Sequence, residues 1–489
     1  MSSTASNTST ASNTSTASAA STTTDYDLIV IGGGPVGENV ADYATKQGAR
    51  VAIVESELVG GECSYWACMP SKALLRSGNA IRAAKRLPGA REAITGDIEA
   101  GAVLARRDEF VSDWRDDGQV EWLAAAGIDL IRGFGTLTGA GRVSVDGRNY
   151  SARAVALATG SVAVVPQIPG LAEARPWGTR EITSADHVPQ SLIILGGGVA
   201  GVEMAFAFAA LGSRITVLSR GSLLGREEPF AGELVANALA AEGVDVRIGV
   251  SLTRVDRGGD GNVAVTLDSG DTLHASEMLV ATGRKPAILG LGLEGLGIDP
   301  KLPVDDTMRV DGADWLYAVG DVNGRSLLTH QGKYQARAAG EAIAARLRGA
   351  PVHDAAWGRH VATADHAAVP RVIFSDPEVA AVGLTERQAR EADAEVSTVE
   401  YDLGKVAGAA LHADGYAGRA KLVIDEARGV LVGATFVGQD VAELVHSATV
   451  AIVGEVPLDR LWHAVPSYPT MSEVWLRLLE TYRSERAAL

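Results

Sequence analysis

The sequence of 489 residues predicts an α/β protein with two Rossmann-like dinucleotide-binding units and a separate C-terminal α+β domain. Three observations predict it. A strand, a glycine-rich turn, a helix and a second strand follow one another from Asp27, and the same order recurs from Ser191. The final part of the chain alternates strand-like and helical runs without any glycine fingerprint. The length agrees, because a single core stops growing beyond roughly 250–300 residues.

The elements follow in order. Residues 1–24 repeat STASNT and contain no charge, so they cannot bury enough surface to offset ordering entropy and are expected to be disordered. They lack the basic start and apolar stretch of a secretory signal, which gives a cytoplasmic expectation. DLIVIGGGPVGENVADYATKQGARVAIVE then places Gly32, Gly34 and Gly37 between strand and helix, with Glu55 ending the second strand. In such a turn the first glycine permits the bend and the second lets backbone approach a pyrophosphate. The third lets helix pack on strand, while the terminal acid can accept from a ribose diol. Helical runs such as AIRAAKRL and the apolar turn ALATGS follow. SLIILGGGVAGVEMAFAFAALGSRITVLSR repeats the device with Gly196, Gly198 and Gly201. LVATGR and WLYAVGD read as two more buried strands ending in turns, and RVIF, AKLVI and VLVGATFVG supply strands of the last domain. The expected divisions are 25–172 for the first unit, 173–283 for the second, 284–350 for a return to the first, and 351–489 for an interface domain.

Charge narrows the partners. Acidic residues number 60 against 44 basic, a formal net charge of −16, which repels nucleic acid and anionic membrane alike. No apolar run reaches the roughly 18 residues of a membrane helix. In the second unit the strand ends Leu218-Ser219-Arg220, without an acid where Glu55 would sit, and Arg226 follows. Two guanidiniums and no carboxylate suit a 2′-phosphate, so NADPH is expected over NADH. Two solvated loop arginines are the plainer alternative.

Only two cysteines occur, Cys63 and Cys68, followed by Met-Pro-Ser-Lys72 and a helical run. A thiol at a helix N-terminus is acidified by the dipole and made competent for exchange. A zinc pair or an inert buried pair are the other readings of these residues.

GGECSYWACMPSK resembles the active-site motif of the pyridine nucleotide-disulfide oxidoreductases, the family of lipoamide dehydrogenase, glutathione reductase and mercuric reductase. The similarity runs from Asp25 to the C-terminus and takes in both glycine fingerprints, both ATG turns, Gly320-Asp321 and FSDPEVAAVGLTE. The resemblance implies FAD on the first unit, with Gly160 and Asp321 added to its site, and NADPH on the second, with Gly283 added. It further implies a flavin-proximal thiol at Cys68, an interchange thiol at Cys63, and a Lys72–Glu203 ion pair near the flavin. A homodimer is implied, with the C-terminal domain of one subunit completing the other's site. One departure stands out. Where many members carry a catalytic histidine, this chain has Tyr468, followed by Pro469, Thr470 and Glu473, and the run YPTMSE resembles that of the soluble pyridine nucleotide transhydrogenases. Tyr titrates near 10 and His near 6.5, so Tyr is a poor base at neutral pH. The expected activity is therefore electron transfer from NADPH through FAD to the Cys63–Cys68 disulfide and on to a disulfide, quinone or other small acceptor. A transhydrogenase or diaphorase that bypasses the cysteines, and a flavin-bearing redox sensor or complex subunit, are the alternatives.

Overall fold

The computed structural model describes residues 24–392 and 395–487. The segment expected to be disordered lies, apart from Thr24, outside the described residues. In the first unit, parallel strands run in the order Asp129–Arg132, Val51–Glu55, Tyr26–Ile31, Arg148–Leu157, and Leu316–Ala318 pairs parallel with the last of these. Alternation along Tyr26–Ile31 explains its burial on both faces. Leu28 and Val30 enter a core with the helices Pro35–Thr45 and Thr329–Leu347, whereas Ile29 and Ile31 enter another with Leu137 and Val143.

The second sheet is also parallel, in the order Asp245–Ile248, Arg214–Ser219, Ser191–Leu195, Glu277–Val280. Its helix Val199–Ala210 is apolar almost all round because it is wrapped on every side. Phe206 and Phe208 share one core with Leu74 and Leu75 of the helix Cys68–Lys85. The two units are thus fused through that helix. They are also joined by a small antiparallel ribbon between Ser161–Ala163 and Arg284–Pro286.

The C-terminal domain is a five-stranded antiparallel sheet, ordered Pro370–Ile373, Glu378–Gly383, Val430–Gly438, Arg419–Asp425, Val396–Asp402. Helices Leu444–Val453 and Glu473–Ala487 cover it around Phe436 and Trp475. The α/β architecture with an α+β C-terminal domain is as the sequence predicts. Among the described residues no helix is long and apolar enough to cross a membrane.

Candidate active site

One cavity of about 2610 Å³ is lined by both glycine turns and by both cysteines. The glycines of each turn divide into two kinds. A Cβ at Gly32, whose φ is +106°, would lie 2.4 Å from the Ala158 carbonyl oxygen, and one at Gly37 would lie 1.8 Å from that of Gly32. These two are required by the chain's own packing. At Gly34 a Cβ would meet nothing nearer than Gly61 Cα at 3.9 Å. The second turn repeats the division: the nearest atoms would be 2.3 Å away at Gly196 and 2.1 Å at Gly201, with nothing within 4 Å of Gly198. Gly34 and Gly198 each precede a helix whose first amides carry no side-chain cap. Such a backbone end, open to the cavity and positive by its dipole, fits a pyrophosphate.

Glu55 is anchored at the cavity wall, where Oε2 accepts from the Gly33 N–H and Oε1 from the Glu57 N–H, both at 2.7 Å. The Gly32 N–H donates to Val54 O, and the Gly196 N–H donates to Leu218 O. Equivalent bonds therefore put Ser219 where the first unit has Glu55. Arg220 and Arg226 are both exposed and line the same cavity. Gly160 and Gly283 close the two ATG turns, one on each side of the ribbon, and also line it.

Cys63 lies in the short helix Gly61–Tyr65, and Cys68 opens the helix Cys68–Lys85 with Pro70 buried in its first turn. Both are half-buried thiols. The neighbouring Cys63 pushes the Cys68 thiol well below the usual range, against the opposing effect of burial. Thr329 Oγ1, 3.3 Å from Cys68 Sγ, and the Lys72 charge act in the same downward direction. The contact between the two cysteines, together with burial, pushes Cys63 up. Proton loss is therefore easier at Cys68 than at Cys63. Lys72 Nζ donates to Glu203 Oε2 at 2.7 Å, and Glu203 Oε1 accepts from the Phe374 N–H at 3.1 Å. Glu203 is buried, so its charge is matched rather than hydrated. Asp321 Oδ2 accepts from Ser161 Oγ at 2.5 Å.

The residues between the cysteines divide. Tyr65 is buried and donates to Val59 O at 3.1 Å, a packing role. Trp66 lines the cavity beneath Arg180, whose guanidinium carbon stands 4.2 Å from the indole centroid. Tyr468 is 76% exposed and is not part of the cavity wall in this one chain. Glu473 is buried, with Oε1 held by Arg477 at 2.6 Å and Oε2 without a partner among the described residues. Thr329, Ser161 and Phe374 escaped sequence reasoning. Thr329 belongs to no motif, whereas Ser161 ends the ALATGS turn and Phe374 opens FSDPEVAAVGLTE, so these two carried a signal.

Residues 26–342 match the pyridine nucleotide-disulphide oxidoreductase family, and residues 369–478 match its dimerisation domain. A dihydrolipoyl dehydrogenase from Chlorobaculum tepidum is 33% identical over 466 residues, covering 92% of this chain and 95% of that protein. A mercuric reductase from Streptomyces lividans is 32% identical over 485 residues, covering 95% and 98%. The HOCl-induced flavoprotein disulfide reductase RclA from Escherichia coli superposes with a TM-score of 0.79 at 27% identity, covering 93% of this chain and 99% of that one.

Proposed function

The chain belongs to the pyridine nucleotide-disulphide oxidoreductases, and on that premise we propose that it works as an NADPH-dependent homodimer whose Cys63–Cys68 pair delivers electrons to a small acceptor. It is an FAD-dependent oxidoreductase that uses a pyridine nucleotide and a redox disulfide. Bound FAD supplies a two-electron relay between nicotinamide and sulfur. The chain's own residues do the rest. The turn at Gly32, Gly34 and Gly37 receives the FAD pyrophosphate, Glu55 a ribose, and Asp321 with Gly160 the remainder of the cofactor. The turn at Gly196, Gly198 and Gly201, with Gly283, receives the nucleotide, and Arg220 and Arg226 its 2′-phosphate. Ser219 in the place of Glu55 supports NADPH, because no carboxylate there repels that phosphate.

The observation that carries the reading is the pair of cysteines in the wall shared by both nucleotide cradles, with Cys68 Sγ 3.3 Å from Thr329 Oγ1. Cys68, as thiolate, faces Lys72 and Thr329. Cys63, still protonated, is the sulfur that meets the acceptor. With a disulfide acceptor, Cys63 loses its proton and attacks one sulfur, releasing the other as a thiol. Cys68 then displaces the second half, closing the Cys63–Cys68 bond. Buried Glu203 holds the half-buried Lys72, and with it a positive charge, beside Cys68 throughout. The exposed Tyr468 side chain suits a contact made across the homodimer, where Glu473 would orient it. Tyr468 is a poor proton acceptor at neutral pH, so acceptors reduced without thiol–disulfide exchange, such as quinones, are expected to outrun disulfides.

The test is kcat/KM for NADPH and NADH with lipoamide, low-molecular-weight disulfides and quinones, on the wild type and on Cys63→Ser/Cys68→Ser. NADPH preference and loss of disulfide reduction in the double variant are expected. NADH preference overturns the nucleotide assignment. Tyr468 favours a second reading, a transhydrogenase or diaphorase, and that reading gains if the double variant retains full turnover with every acceptor the wild type uses.

A further inference from the structure

The loop that carries Arg220 and Arg226 does not end within its own domain. Leu223 and Leu224 are buried, and the Leu224 N–H donates to Gly197 O at 2.8 Å, which ties the loop to the second glycine turn. The two side chains that follow Arg226 reach into the C-terminal domain. Glu227 is gripped by Arg371, with Nε to Oε1 at 3.0 Å and Nη2 to Oε2 at 3.1 Å. Glu228 accepts from the Glu386 N–H at 2.7 Å and pairs with Lys421 at 3.1 Å. Side-chain exposure is 6% for Glu227 and 26% for Arg371. Glu227, Arg371 and Arg226 all line the cavity.

This arrangement presents an electrostatic problem and its solution. A carboxylate directly follows Arg226, on the wall where a 2′-phosphate is expected. Unpaired, it would cancel much of the attraction the two arginines supply, and poor hydration would leave its field little screened. Arg371 matches that charge with a bidentate grip from another domain.

We propose that Arg371 is a positioning residue for nucleotide specificity: by pairing with Glu227 it neutralises the carboxylate beside Arg226 and so lets the second unit distinguish a 2′-phosphate from a free 2′-hydroxyl. The inference rests on the NADPH reading and adds that the discrimination is held from the C-terminal domain. Glu228 and Lys421 fix the end of the loop, and Glu227 with Arg371 sets its charge.

The experiment measures calorimetric binding of 2′,5′-ADP and of 5′-ADP to the FAD-loaded enzyme, beside KM and kcat for NADPH and NADH. Arg371→Leu is expected to weaken 2′,5′-ADP by about tenfold relative to 5′-ADP, the scale of one uncompensated charge at a partly buried site. KM for NADPH should rise relative to KM for NADH by a similar factor, and the ratio of the two kcat values should stay put. Arg371→Lys, which keeps the charge, should retain most of the preference. Adding Glu227→Gln to Arg371→Leu removes the stranded carboxylate and should restore it. A double variant as impaired as Arg371→Leu, or equal weakening of both ligands, overturns the proposal and leaves the NADPH reading intact. A wild type that binds the two ligands alike refutes the NADPH reading, and this inference falls with it.

Discussion

Replacing Gly34 with alanine separates what the fold requires from what the cofactor requires. Gly34 has φ −74° and ψ 180°, an extended conformation open to any residue, and a methyl group there would touch only Gly61 Cα at 3.9 Å. The apoprotein should therefore tolerate Gly34→Ala, with a gain of ~0.4–1 kcal/mol from the stiffer unfolded chain. Gly37→Ala differs sharply. Its methyl would lie 1.8 Å from Gly32 O, and that backbone cannot yield without parting helix from strand. A loss of about 3 kcal/mol or more is expected, the upper range for an overfilled core. FAD affinity should invert the order of harm for Gly34. A methyl at the helix N-terminus holds the pyrophosphate off two amide donors, each worth ~1.5–3 kcal/mol to a charged acceptor, so the dissociation constant should rise by about 100-fold or more. Denaturant melts of flavin-stripped protein and fluorescence titration with FAD read the two effects separately. A Gly34→Ala apoprotein as unstable as Gly37→Ala, or one that binds FAD with unchanged affinity, would refute the assignment.

The other expectations are read in solution too. Gly198→Ala, with nothing within 4 Å of its methyl, should raise KM for NADPH at least tenfold without loss of bound flavin, a magnitude of ~1.4 kcal/mol. Burial raises Glu38 to about 7 against the nearby Lys333 charge, and its Oε1 has no partner among the described residues. A carboxyl raised on folding binds more protons folded than unfolded, so stability should fall as pH climbs from its ordinary value of 4.5 to about 7 and level off above. Glu38→Gln should flatten that slope, recovering up to ~3 kcal/mol in denaturant melts at pH near 8. Thr329→Val removes a hydrogen bond from Cys68, so its thiolate absorbance in the reduced protein should titrate at higher pH, and an unchanged midpoint would speak against that contact. Asp376 holds Arg82 at 3.0 Å and Arg86 at 2.9 Å, joining the Cys68–Lys85 helix to the C-terminal domain. Asp376→Asn should cost ~3–5 kcal/mol of stability, the usual penalty for stranding a buried charge.

Much of the site is legible in the sequence because its parts are local. Each glycine turn is one strand, one bend and one helix start, so the spacing of Gly32, Gly34 and Gly37 already contains the geometry. The cysteines are legible for the same reason, since each lies near the start of one of two consecutive helices. What escaped is set by packing between distant segments. Thr329 reaches Cys68 from 261 residues away, Phe374 reaches Glu203 from 171, and Arg371 reaches Glu227 from 144. No periodicity encodes such meetings. The thiol polarity was legible only through the family resemblance: on chemistry alone two cysteines in one motif look alike until Thr329, Lys72 and their contact with each other set them apart.

The number of electrons the enzyme stores decides whether sulfur takes part. Under anaerobic conditions, titrating the wild type with NADPH should consume two equivalents per flavin, one for the isoalloxazine and one for the Cys63–Cys68 bond. Cys63→Ser/Cys68→Ser should consume one. A wild type that saturates at a single equivalent, with both thiols already free to alkylation before the reductant is added, would contradict the account.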